Sequence, residues 1–285
     1  MTTEKDWWVQ EYAQDIHKHL RSKEKKRFLF RGKSPQLHMR KCLVEWLELI
    51  CDKLEFCTPV LHLALYLLDI FMDNHTIHYD HLQMVALGCL TVAVKLEEND
   101  ALIPKNSDLN ALVGNKYKLI EFVQMEVSIL TFFNWDILFP TAAHFVDYYI
   151  MYAVSPFDAS NDDGNWSNLK RMEVVMKKYV RYFLEVSIQD VIFLQFPPSK
   201  VAASCLAATR GCLAVSVPWP GHLERLTGWS YDQLKPCVDL MHRNLYVDWV
   251  ANKGDSHQTP KTPSVMKCTE KGDDALNGNS DCSLK

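Results

Sequence analysis

No CxxC pair occurs anywhere in this chain of 285 residues. Of its nine cysteines, Cys42, Cys51, Cys57, Cys89, Cys205, Cys212 and Cys237 stand singly in apolar runs. That argues against both a zinc ribbon and a disulfide framework, and predicts buried free thiols in a reducing compartment. The opening MTTEKDWWVQEYAQD has no apolar stretch of the kind a secretory signal carries. The longest apolar run, Leu82 to Val94, is too short to span a bilayer and contains Gln83. Charge of one sign is also missing in bulk: a net −4 creates no overall field toward nucleic acid or an anionic membrane. No period-two run is bounded by turn residues, so a sheet is not expected. HExxH, GxSxG and GxGxxG are absent. RGKS at Arg31 echoes a phosphate loop, but Arg27 stands where that loop needs glycine. These absences predict an intracellular, soluble, helical protein of the nucleus or cytoplasm, with no catalytic or metal centre and no cofactor.

Helical signals fill the space. Ser34-Pro35 and Thr58-Pro59 each set a capping hydroxyl before a proline, the order of an N-cap and first helical residue. VLHLALYLLDIFM, after Thr58-Pro59, is apolar on every face, so it must be surrounded by other helices. Only His62 and Asp69 are markedly polar in it. LKRMEVVMKKYVRYFLEV instead carries a stripe of Leu169, Met172, Met176, Tyr179, Phe183 and Val186, the pattern of an amphipathic surface helix.

A repeat organises the chain. VALGCLTVA at Val85 matches VAASCLAAT at Val201, offset by 116 residues, and LVGNKY at Leu112 matches LTGWSY at Leu226, offset by 114. One all-helical unit is therefore present twice, with Pro140 as the seam. The expected organisation is an N-terminal helix and basic linker (1–35), a first unit (36–139), a second (140–250) and a polar tail (251–285). The tail, with Thr259-Pro260 and Thr262-Pro263 as candidate phosphorylation sites, reads as disordered. Position-specific differences between the copies mark specialisation. Lys95 corresponds to Gly211 and Glu126 to Leu240. The apolar VALGCLTVAVKLEEND thus ends in charges that the second copy lacks, which predicts a charged docking face on the first copy.

These segments resemble the cyclin family, from Trp7 to Val250. MRKCLVEWLELI resembles the opening of the cyclin box, VLHLALYLLDIFM its second helix, HLQMVALGCLTVAVKLEE its third and LIEFVQMEVSIL its fifth. LTGWSYDQLKPCVDLMH resembles the close of the C-terminal cyclin fold. DWWVQEYAQDIHKHLR and PTAAHFVDYY look most like the cyclin J and cyclin J-like group. The resemblance implies an all-α fold of two tandem five-helix domains preceded by a helix, and a cyclin-dependent kinase as partner. It implies that Arg40 and Asp69 form an internal ion pair. Lys95 and Glu126 match the pair that contacts the kinase's mobile helix, with Leu96, Glu97 and Glu98 beside them. Met84 replaces the family's usual Leu, a volume-conserving change, and Leu96 replaces its usual Phe. Met39, Cys42, Leu43, Trp46 and Gln83 match a groove that recruits Arg-x-Leu substrates, but Leu49 stands at an acidic position of that groove and Cys42 at an Ile position.

Two other signals are set against simpler readings. His75, His78 and His81, with Asp73 and Asp80, have a spacing that could suit zinc, but DNHTIHYDH reads as a polar turn between helices. Lys18 to Lys41 carries ten Lys or Arg residues against Glu24. It reads as a solvated linker, with nuclear targeting second; nucleic-acid binding by a transcription-factor-like relative of the fold is the alternative function.

Overall fold

The computed structural model describes residues 7–155, 158, 169–215 and 217–254. Among them there is no β-strand. A first helix, α1 (Ala13–Lys23), precedes two groups of five. The first group is α2 (Arg40–Lys53), α3 (Thr58–Asn74), α4 (Leu82–Glu97), α5 (Asn106–Leu112) and α6 (Leu119–Phe132). The second is α7 (Ala142–Ile150), α8 (Leu169–Gln189), α9 (Pro198–Cys212), α10 (Gly221–Thr227) and α11 (Tyr231–Gly254). The repeat read from sequence is visible helix by helix. In each copy a largely buried helix, α4 or α9, is followed by a seven-residue helix, α5 or α10, and then by a longer one. The tail from residue 255, with its Thr-Pro sites, lies outside the described residues.

Each copy has its own core. Leu63, Leu67, Ile70, Leu87, Leu90 and Val94 centre the first; Phe145, Phe183, Cys205, Leu206, Leu234 and Met241 centre the second. Gly88 lets α4 and α6 approach closely: a Cβ there would stand 2.7 Å from Met125 Cγ and 2.8 Å from Ile129 Cδ1. On α8 the buried residues are Met172, Met176, Val180, Phe183 and Ser187 among others, while Tyr179, expected in the stripe, is exposed. The stripe turns by one residue midway because a straight helix needs 3.6 residues per turn.

Several local expectations are corrected. Ser34 does not cap an α-helix: its hydroxyl accepts from Gln36 N–H in a turn, and a short 3-10 helix precedes α2. Thr58 does not cap α3 by its side chain; Cys57 is the N-cap residue. Cys51, Cys89, Cys205 and Cys237 are buried, but Cys42 and Cys212 are exposed and Cys57 is half-buried. Burial pushes the Cys51 thiol up to about 12 and Cys237 to about 11, which keeps both protonated and unreactive.

The basic stretch is a solvated linker only in part: Lys25, Lys26, Arg31 and Lys33 are exposed, but the chain is anchored on both domains. The chain from Trp7 through α1 docks on the second domain, with Trp7 against Tyr148 and His17 against Tyr149, whose hydroxyl lies 3.0 Å from His17 Nε2. Glu24, 3% exposed, accepts from Ser199 N–H (3.0 Å) and Oγ–H (2.8 Å) and pairs with Arg21 at 2.8 Å. Phe28 then crosses to the first domain and meets Phe132, Phe133 and Phe139. Asp73 closes the strap by accepting from the backbone N–H groups of Arg31 and Lys33. The histidines do not converge. His75 stacks on Phe71 and bonds its carbonyl, while His78 accepts from Asp80 N–H in a helical start before α4.

Candidate functional site

α4 is buried from Leu82 to Val94 and surfaces at Lys95. Its terminal charges then separate into two sets. Glu97 Oε1 lies 3.1 Å from His144 Nε2. His144 Nδ1 accepts from Thr141 N–H at 3.1 Å, so Nε2 carries the ring proton and donates to Glu97. That contact ties the end of α4 to the start of α7 in the second domain. Glu98 Oε1 accepts from Cys57 N–H at 2.8 Å, placing a carboxylate at the positive end of α3. Both carboxylates read from sequence as docking groups thus have work within the chain. Leu96 is half-buried against the first core.

Lys95 and Glu126 form the other set. Lys95 Nζ donates to Glu126 Oε1 at 2.5 Å, with side chains 45% and 17% exposed. The close approach at Gly88 brings the carboxylate of α6 within reach of the ammonium of α4. The ammonium has three donors, and one carboxylate oxygen takes one of them. The pair therefore keeps both donor and acceptor capacity toward the surface.

An apolar surface adjoins it that the sequence reading missed. On α6, Leu119, Ile120, Val123 and Val127 are 44–57% exposed, and Trp135 and Leu138 beyond its end are 66% and 57% exposed. Val123 lies one turn before Glu126, on the same side of the helix. The signal was present in LIEFVQMEVSIL, apolar on nearly every face. Only Phe122 and Ile129 of α6 are buried, because the helix is packed chiefly against α4. Large apolar side chains exposed at helical spacing are a candidate contact surface.

The structure brings Arg40 and Asp69 together with two hydrogen bonds of 2.8 and 2.9 Å, the guanidinium 5% and the carboxylate 2% exposed. A second buried pair, which the sequence reading missed, sits in the other copy. Arg210, fully buried, holds Asp158 at 2.7 and 3.0 Å and donates to the carbonyls of Ala153 and Val217. Burial pushes the Asp158 carboxyl up, but the bonds from Arg210 and Ser155 outweigh it and hold it below its usual range. An arginine ending the apolar run VAASCLAATR was the available sign.

The structure brings the residues matched to a substrate groove together only in part. Leu43, Trp46 and Gln83 are buried, Met39 is half-buried and Cys42 is exposed. Met39, Leu43 and Gln83 border a cavity of about 30 Å³, room for about two waters. Leu49, at the acidic position, is 37% exposed.

Comparison with known proteins bears on the whole chain. The model of the cyclin N-terminal domain matches residues 11–138 and that of the cyclin C-terminal domain residues 140–268. The chain belongs to the cyclin family. Cyclin-J of Xenopus laevis is 40% identical over 82% of this chain and 62% of its own length. The cyclin-J-like protein of Mus musculus is 37% identical over 88% of the chain and 67% of its own length. This cyclin thus spans about two thirds or less of those relatives. Among solved structures, a viral cyclin from herpesvirus saimiri superposes with a TM-score of 0.61 at 17% identity, covering 81% of this chain and 96% of its own. A chain of the yeast RNA polymerase II CTD kinase complex gives 0.56 at 15%, covering 82% and 73%. Both show the shared two-domain helical fold. Among the described residues no helix is long and apolar enough to cross a membrane.

Proposed function

We propose that this cyclin is a non-catalytic regulatory subunit that binds a cyclin-dependent kinase through the Lys95–Glu126 face and activates it. The observation that carries the proposal is the outward ion pair beside the exposed apolar side of α6. Ile120, Val123 and Val127 supply the apolar area of a helix-on-helix contact. Lys95 and Glu126 supply charge-assisted hydrogen bonds to unsatisfied backbone groups at the end of a kinase helix. A kinase whose mobile helix meets this face only in its inward position is shifted toward that state by binding. The inward helix completes the kinase's own Lys–Glu pair, and phosphoryl transfer follows on the kinase. The catalytic groups belong to the partner. Substrates of the Arg-x-Leu class remain an expectation, resting on Met39, Cys42, Leu43, Trp46 and Gln83 alone.

Affinity purification from cells tests the reading. Lys95→Ala combined with Glu126→Ala removes the co-purified kinase and its activity while circular dichroism stays helical. Full retention of kinase by the double variant overturns the assignment. The alternative reading is nucleic-acid binding by the basic stretch, in which Arg21 and Arg40 are tied to Glu24 and Asp69 while Lys25, Lys26, Arg31 and Lys33 are exposed. A salt titration of DNA binding tests it, since phosphate contacts give a steep salt slope.

A further inference from the structure

A groove of about 940 Å³ opens between the two domains, walled by α2 on one side and α8 on the other. On α2, Lys41, Glu45, Glu48 and Asp52 recur at helical spacing and all border it, on the side away from the buried Leu43, Leu47 and Ile50. On α8, Tyr182, Glu185, Val186 and Gln189 do the same. The walls therefore oppose the carboxylates Glu45, Glu48 and Asp52 to Glu185, with apolar surface from Phe56, Leu61 and Val186 between them. Lys41 stands 3.9 Å from Glu45, Arg181 acts on Glu185 from the same helix, and Arg40 is tied to Asp69. Negative charge remains in excess. Glu48, half-buried, is pushed up first by burial and further by Glu185, Asp52 and Glu45, against a lowering hydrogen bond from Gln189. The carboxylates crowd one another across the cleft.

His62 also borders this groove, and its Nε2 is buried without a hydrogen-bond partner.

We infer that the interdomain groove is a docking site for an extended segment of a partner protein carrying arginine or lysine side chains spaced by apolar ones. The basic side chains meet Glu48, Asp52 and Glu185, and the apolar ones meet Phe56 and Leu61. The site shares no charged residue with the Lys95–Glu126 face and does not rest on kinase binding.

Fluorescence anisotropy of the full chain tests this with a fluorescein-labelled peptide of repeating Arg-Leu-Arg-Ser units, and with the same peptide carrying Glu for Arg. The basic peptide binds saturably and the acidic one does not. The triple variant Glu48→Gln, Asp52→Asn, Glu185→Gln weakens binding at least about tenfold. A charge-matched control, Glu173→Gln, Asp232→Asn, Asp239→Asn, neutralises exposed acids outside the groove and binds like wild type, as does Lys95→Ala, Glu126→Ala. The neutralised groove keeps the wild-type dichroism and melting, because it relieves repulsion. Absence of binding, equal binding of the acidic peptide, or equal weakening by the charge-matched control overturns the inference.

Discussion

Arg40 and Asp69 are joined by two hydrogen bonds of 2.8 and 2.9 Å inside the first domain, and the same guanidinium donates at 2.9–3.0 Å to the carbonyls of Gln189 and Ile188 in the second. One arginine thus satisfies a buried carboxylate and two carbonyls at the end of α8, locking the domains against each other.

Removing one partner leaves a buried charge unpaired. Arg40→Ala and Asp69→Ala each lower unfolding free energy by about 3–5 kcal/mol, and the combination Arg40→Met, Asp69→Leu costs less than either. Urea denaturation of the four proteins in a double-mutant cycle measures this; an additive double variant contradicts it.

The half-exposed pair behaves differently. Exchanging its charges, Lys95→Glu with Glu126→Lys, keeps an ion pair and shifts stability by no more than about 1 kcal/mol. The polarity offered to a partner helix is inverted, so kinase co-purification is lost. Retention would mean that the pair serves only α4 against α6.

Gly88 sets the spacing on which that pair depends. Gly88→Ala drives a methyl into Met125 and Ile129, lowers stability by about 1–3 kcal/mol, and weakens kinase capture. Met125→Ala in the same chain makes room and recovers part of both. Melting temperature and pull-down yield report the two effects separately.

Acid weakens this fold through His62. Burial first, and then the neighbouring His144, lower its pKa from 6.5 to about 3. The unfolded chain then binds more protons than the folded one below pH 6.5. Stability is complete above that value and falls as pH drops toward 3, by about 2 kcal/mol from this residue at pH 5. His17, lowered to about 4 by burial and by Arg21, acts in the same direction. Unfolding free energies at about pH 7 and about pH 5 fall less for His62→Leu than for wild type, and equal slopes would contradict the assignment.

The duplicated helical unit was legible in the chain itself, because apolar period and in-register matches are local properties. So was the asymmetry of Lys95 and Glu126, since comparing copies needs no coordinates. Side-chain allocation was not. α3, α4 and α6 are apolar nearly all round, so periodicity gives no sign of which face a neighbour covers. Packing alone sends Glu97 to His144 and Glu98 to Cys57 N–H, leaves Val123 and Val127 uncovered, and turns a basic stretch into a strap anchored by Glu24 and Asp73. Arg210 finds Asp158, and α2 faces α8 across an acidic cleft, for the same reason. A residue's partner tens of positions away is fixed by where whole helices come to rest, and that is decided by the summed burial of two cores rather than by any local pattern.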